Sequence, residues 1–174
     1  MNTANKLTML RVLLIPVYLL MWYLDFSGNN YVALAIFVIA SVTDFVDGYV
    51  ARHYNQVTDF GKFMDPLADK VLVITAMICF CAMGLFPAWA LVIVVAREFA
   101  VSGLRMVAVD NGRVIAAGWS GKVKTFTTMV CLCVLHLPVW AWLVWVCVIL
   151  IAATTLYSGV EYFVKNKDVL NTNK

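Results

Sequence analysis

Charge is scarce in this 174-residue chain: Asp, Glu, Lys and Arg together make up 13% of it, against roughly 25% in a soluble domain. Apolar residues make up 63%. A water-dispersed fold of that composition lacks the polar surface to cover itself, so a bilayer is the expected solvent. The net charge of +3 is too small to argue for nucleic acid as a partner. Histidine is limited to His53 and His136, and neither is assigned to catalysis; His53 reads as a loop residue, and His136 falls on the side away from the charges, beside Pro138. The five cysteines, Cys79, Cys81, Cys131, Cys133 and Cys147, all lie in apolar runs. Their two C-x-C pairs lack the usual zinc spacing. They read as packing residues. The apolar run from Val12 to Tyr23 ends in bulky residues with no small-x-small cleavage site, so it reads as a retained first span rather than a signal peptide.

What is present is a series of long apolar runs. A span needs about 20 mostly apolar residues, and six segments approach that: Leu10–Leu24, Tyr31–Ala51, Met64–Leu85, Trp89–Val109, Lys122–Leu137 and Val139–Val164. Backbone amides in hydrocarbon must pair within their own segment, so these are expected to be helices. The expected fold is an all-α integral membrane protein: one domain, residues 1–174, with six transmembrane helices in a bundle and residues 1–9 as a short juxtamembrane segment. The breaks carry turn residues: Ser27-Gly28-Asn29-Asn30, Gly84 with Pro87, Asn111-Gly112, and Pro138. Pro66 sits either in the first turn of the third helix or at a kink. Trp22, Trp89 and Trp140, near span ends, read as an interfacial belt.

The positive charges are one-sided. Lys6, Arg11, Arg52, Lys62, Lys70, Arg105, Arg113, Lys122, Lys124, Lys165, Lys167 and Lys174 fall before the first helix, around the second and fourth connections, or after the sixth helix. The other three connections contain no Lys or Arg; Arg97 is inside the fourth helix. The positive-inside rule places both termini and the charged connections in the cytoplasm.

Four aspartates break the apolar pattern. An aspartate at the centre of a span costs on the order of 3 kcal/mol, yet Asp44 and Asp47 lie near the cytoplasmic end of the second helix, and Asp65 and Asp69 near the start of the third. Spacings of three and four put each pair on one helical face, and a short turn makes the two helices antiparallel, so the pairs converge at the cytoplasmic boundary. Four carboxylates together repel unless they take up protons, pair with Arg and Lys, or bind cations. All-oxygen ligation suits magnesium, manganese or calcium rather than zinc or copper, and two ions, Mg2+ or Mn2+, balance four carboxylates in the manner of a two-metal phosphoryl-transfer site. The bland alternative is that the acids cap helices or pair with Arg52, Lys62 and Lys70. A cation transporter also uses intramembrane acids, but it needs them near the midplane, and here they sit at one end.

The whole pattern is Asp44-x-x-Asp47-Gly48-x-x-Ala51-Arg52, eight residues, then Gly61-x-x-x-Asp65-x-x-x-Asp69. In every fixed position it resembles the signature of the CDP-alcohol phosphotransferase family. The resemblance implies a six-helix membrane bundle, usually a homodimer, that moves a phosphatidyl or related phosphoryl group from a CDP-linked donor to an alcohol and releases CMP. It further implies that Asp44, Asp47, Asp65 and Asp69 ligate the metal pair, that Asp69 is also the catalytic base, and that Gly48, Ala51, Arg52 and Gly61 line the cytidine nucleotide site. Three further stretches are similar to the bacterial branch whose donor is CDP-diacylglycerol and whose acceptor is glycerol 3-phosphate. These are Asn5-Lys6-Leu7-Thr8-x-x-Arg11 with Pro16, Ala96-Arg97-Glu98-x-x-x-Ser102-Gly103-Leu104-Arg105, and Gly121-Lys122-x-Lys124-Thr125. That branch implies the bacterial cytoplasmic membrane, with the active site facing the cytoplasm. Inositol phosphate, serine or phosphatidylglycerol is the alternative acceptor.

An acceptor that carries a phosphate needs cations. Arg11, Arg105, Arg113, Lys122 and Lys124 are the candidates; equally, they anchor helix ends to anionic lipid. Lys122 and Lys124 flank one residue, so one of them faces a site in a continuous helix, and Lys124 is favoured; Arg113, in a loop, is the weakest placement. Arg11 either snorkels to headgroups or reaches the acceptor phosphate. Arg97 and Glu98 diverge by about 100° on a helix and are not expected to pair with each other; Arg97 either faces the aspartates or pairs structurally.

Overall fold

The computed structural model describes the backbone of residues 3–53, 59–113, 115–116 and 118–169, and the side chains of these except residues 3–7, 44–53, 59–66 and 69. Among the described residues the chain is all-helical, with six α-helices: α1 (Thr3–Tyr23), α2 (Asn29–His53), α3 (Asp59–Ala82), α4 (Ala88–Asp110), α5 (Trp119–Leu135) and α6 (Ala141–Lys165), followed by a 3-10 turn at Lys167–Val169. Each expected helix is present. Their ends extend furthest where the sequence turns polar: α1 takes in Thr3–Met9, and α3 starts at Asp59. Pro66 therefore lies inside α3 and not in its first turn.

By length and apolar composition, α6 is the one helix among the described residues that qualifies outright as a membrane span; the apolar stretches Thr8–Tyr23, Asn29–Thr43 and Lys70–Ala82 are shorter. In α4 the apolar run is interrupted by Arg97, Glu98 and Arg105.

The helices fall into two compact groups. In the first (residues 1–80 with 133–138), α1 packs on α2. Their buried stripes follow helical spacing: Thr8, Arg11, Ile15, Tyr18 and Trp22 on α1, and Ala33, Phe37 and Ala40 on α2. His136 is buried in this group within an aromatic box. Its ring centroid lies 4.9 Å from that of Phe80, 5.5 Å from Phe37 and 5.6 Å from Trp22, and its Nε2 is hydrogen-bonded to the Tyr18 hydroxyl at 3.1 Å. Trp22 is therefore a core residue at 8% exposure, a correction to the interfacial reading, whereas Trp89 and Trp140 are exposed at 50% and 75%. Trp22 falls on the same stripe as Tyr18, and that register takes it inward.

In the second group (residues 81–132 with 139–174), α4 packs on α6. The buried stripe Ala90, Val94, Val101, Leu104 and Ala108 of α4 passes through Arg97 at the same spacing, and α6 contributes Val148, Ile151, Thr155, Ser158 and Tyr162. Helix α5 buries Lys124, Thr128, Cys131 and Leu135 at helical spacing. α4 ends in a Schellman turn. Gly112, at φ +70°, lets its own N–H reach the Val109 carbonyl at 2.9 Å and the Arg113 N–H reach that of Ala108 at 2.8 Å. The described cysteines are free thiols, with Cys79, Cys131 and Cys147 buried, in keeping with a packing role.

The Tyr18–His136 bond is the polar contact at the centre of the first group. Tyr18→Phe keeps the ring and deletes the hydroxyl, and should lower stability by about 1–3 kcal/mol, read as thermal unfolding in detergent. An unchanged midpoint would show that packing alone holds His136.

Candidate active site

The aspartates sit on α2 and α3 where helical register is set by the described residues around them. On α2, Asp44 and Asp47 continue the stripe of Ala33, Phe37 and Ala40, since Ala40 and Asp44 are four apart. On α3, Asp65 and Asp69 precede Leu72, Ala76 and Phe80 at spacings of three and four. By spacing alone, all four positions share a helical face with the described residues named here. Their side chains, with those of Gly48, Ala51, Arg52, Gly61 and Lys62, lie outside the described residues. Among the described residues no three His, Cys, Asp or Glu side chains gather to hold an ion.

Arg11 is fully buried and does not snorkel outward. Its Nε donates to the Ala40 carbonyl at 3.3 Å. Ala40 lies one turn before Asp44, so α1 delivers a guanidinium to the stretch of α2 that leads into the first aspartate pair. The Thr8–Arg11–Ile15 spacing aims Arg11 at α2 rather than at solvent.

The second group holds a buried charge network. Arg97 Nη1 donates to Glu98 Oε1 at 3.0 Å, Lys124 Nζ donates to the same oxygen at 2.6 Å, and Arg97 Nη2 donates to Ser158 Oγ at 2.5 Å. The Arg97 and Glu98 side chains are each 13% exposed. The expectation that these helical neighbours do not pair is overturned. Their Cβ directions do diverge, but both side chains are long, and burial leaves each without water, so they bend toward one another. Arg97 also lines an apolar groove of about 510 Å3 along α4 and α6, with Ala96, Ala100, Thr155 and Gly159.

The other basic residues differ by partner. Lys124 is buried and Lys122 is not, because Lys124 falls on the stripe of Thr128, Cys131 and Leu135. Lys122 instead stacks over the Trp119 ring at 5.9 Å. Arg105 donates from Nε to the Tyr162 hydroxyl at 3.0 Å and lies over that ring. Arg113 is exposed and paired with Asp168, whose carboxyl it holds below the usual range through hydrogen bonding and charge. Ser158 and Tyr162 were not among the sequence candidates, and Glu98 was singled out there without a role. The available signal was spacing: Ser158 and Tyr162 are four apart in α6 and follow Val148, Ile151 and Thr155 on one face.

The sequence model of the CDP-alcohol phosphatidyltransferase family matches residues 1–160, all six helices but the last turn. The chain belongs to this family. A Bacillus subtilis (strain 168) relative named CDP-diacylglycerol–glycerol-3-phosphate 3-phosphatidyltransferase is 40% identical, the alignment covering 99% of this chain and 98% of that one. A relative of the same name from Escherichia coli (strain K12) is 40% identical over 83% of this chain and 77% of its own. A Mycobacterium tuberculosis (strain H37Rv) relative, named a probable phosphatidylglycerophosphate synthase, is 40% identical over 92% of this chain and 79% of its own. The family match takes in the aspartates, the Arg97–Glu98 pair and Lys124 alike.

The two α5 lysines separate by burial. Lys124→Gln should destabilise the protein by about 1–3 kcal/mol, less than the roughly 3–5 kcal/mol of a buried charge left alone, because Arg97 still meets Glu98. Lys122→Gln should leave the unfolding midpoint in detergent where it is. Equal effects would show that burial does not distinguish them.

Proposed function

We propose that this protein is a membrane enzyme that transfers the phosphatidyl group of CDP-diacylglycerol to glycerol 3-phosphate, giving phosphatidylglycerophosphate and CMP. The observation that carries this reading is end-to-end similarity, at 40% identity over 99% of the chain, to a relative of that name, together with the complete aspartate signature. The bacterial cytoplasmic membrane is the proposed location, with the charged connections and both termini on the cytoplasmic side. The bias of Lys and Arg among the connections supports it. A homodimer is proposed on family resemblance.

The donor set at Asp44, Asp47, Asp65 and Asp69 consists of carboxylates alone, paired at spacings of three and four. It fits a hard divalent cation, magnesium or manganese, and four negative charges fit two such ions. When bound, these ions supply charge neutralisation along the donor's pyrophosphate and a template for in-line displacement.

The chain's own residues do the rest. Asp69 accepts the proton of the acceptor hydroxyl. That oxygen then forms the new bond to the phosphorus bearing the diacylglycerol, and the bond from that phosphorus to the CMP oxygen breaks. Gly48, Ala51, Arg52 and Gly61 receive the cytidine nucleotide; their small size at three of four positions allows close backbone approach. The acceptor phosphate falls to Arg11, Arg105, Arg113, Lys122 and Lys124. Arg105 and Lys124 are the strongest of these, since one meets a neutral partner and the other is buried with a spare cation beside it.

CMP release by the reconstituted protein should require glycerol 3-phosphate; release with inositol phosphate, serine or phosphatidylglycerol in its place would overturn the acceptor assignment. Asp69→Asn should cut turnover by about 10²–10⁴-fold while the protein still inserts in membranes, and near wild-type turnover would refute its role as base. Strong chelation of divalent metal should stop CMP release and added magnesium or manganese should restore it. Full activity in chelator would refute the metal site.

A further inference from the structure

Lys124 is buried, and among the described residues most of its hydrogen-bonding capacity is unspent. An ammonium has three N–H donors. Glu98 Oε1 takes one of them, and no other partner of Lys124 lies among the described residues. Its side chain is 6% exposed, so water has little access to the remaining donors. The same Oε1 also accepts from Arg97. Two cations on one carboxylate leave the trio with a net charge of +1.

Arg97 is fixed and has no freedom to relieve this. Ser158 holds its Nη2, and its stem passes Gly159 so closely that a Cβ there would come within 3.2 Å of Arg97 Cγ. Arg97 Nε is itself buried, with no hydrogen-bond partner among the described residues. Surplus positive charge with idle donors in a low-dielectric setting is stabilised by an anion. A carboxylate is nevertheless needed, because without it the two cations repel each other and the flexible lysine swings away from the fixed arginine.

We propose that Glu98 is a positioning residue for the acceptor's phosphate. It holds Lys124 so that the two remaining ammonium donors serve a phosphate oxygen, with Arg97, anchored by Ser158, as the immobile second cation. This rests on the reading that the acceptor is glycerol 3-phosphate.

The test follows CMP release by the full-length protein in vesicles while each substrate is varied in turn. Glu98→Gln keeps the shape and removes the charge. It should raise the KM for glycerol 3-phosphate about tenfold and leave the KM for CDP-diacylglycerol within about twofold, and Glu98→Asp should recover part of the loss. Glu98→Gln added to Lys124→Gln should change little beyond Lys124→Gln alone, since both act through one ammonium. Both KM values rising together, or the two effects multiplying in the double variant, would show a structural role and overturn the proposal. Should Glu98→Gln fail to accumulate in membranes, Ser158→Ala carries the same requirement: a raised KM for glycerol 3-phosphate alone supports the proposal, and any other pattern overturns it. Wild-type turnover with glycerol 3-phosphate and an unmoved KM in Glu98→Gln overturns this inference by itself. Wild-type turnover with another alcohol only overturns the acceptor assignment and this inference with it.

Discussion

Burying charge in an apolar chain is the constraint on which the rest of this structure depends. The chain has 13 basic and 10 acidic side chains, and several of them occupy helix positions whose register points inward. Arg11, Arg97 and Lys124 each replace an apolar residue on an otherwise regular stripe. A buried ion without a partner costs several kcal/mol, so each such position obliges another residue to meet it. Ala40 meets Arg11 with a backbone carbonyl, and Glu98 and Ser158 meet Arg97 and Lys124. The polar contacts inside these helix groups are consequences of those placements.

The same constraint explains what was legible in the sequence. Apolar runs set the six helices, and the turn residues between them, above all Gly112 in its Schellman turn, set the breaks. The aspartate pattern was legible because acids in spans are rare and their spacing is specific. Partner choice was not legible, and Arg97 and Glu98 show why. Angular separation on a helical wheel describes where Cβ points, while a buried Arg and a buried Glu have enough reach to cross that angle when no water competes. Trp22 shows a second limit: a tryptophan near a span end satisfies both the belt rule and the core stripe, and only the register of Arg11, Ile15 and Tyr18 tells which prevails.

The two helix groups solve different electrostatic problems. In the first, Asp44, Asp47, Asp65 and Asp69 follow or precede apolar residues at helical spacing in the sequence, and the reading proposed for them is a site for cations. In the second, the stripes of α4 and α5 run through Arg97 and Lys124 with one carboxylate between them, a positive excess that calls for an anion. A transfer from a nucleotide-linked phosphoryl donor to a phosphorylated acceptor needs both kinds of environment: metal to screen a pyrophosphate, and basic side chains to hold a phosphate that does not react.

What each basic side chain already touches then decides how much it can give to such an anion. Arg113 has its charge met by Asp168 in an exposed pair, where solvent screens both partners, so it has little left to offer. Lys122 lies over an indole in open surroundings, where hydration of the ammonium competes with any ligand. Arg105 bonds a neutral hydroxyl and keeps its full charge, and one edge of its guanidinium suits bidentate contact with phosphate. Lys124 shares a carboxylate with Arg97 but does so out of water, where the residual charge is screened least. Ranking these residues by exposure alone would put Arg113 and Lys122 first; ranking them by the charge left after their partners are counted puts Arg105 and Lys124 first. The second order is the one a desolvated phosphate would follow, because its binding depends on uncompensated charge at the point of contact.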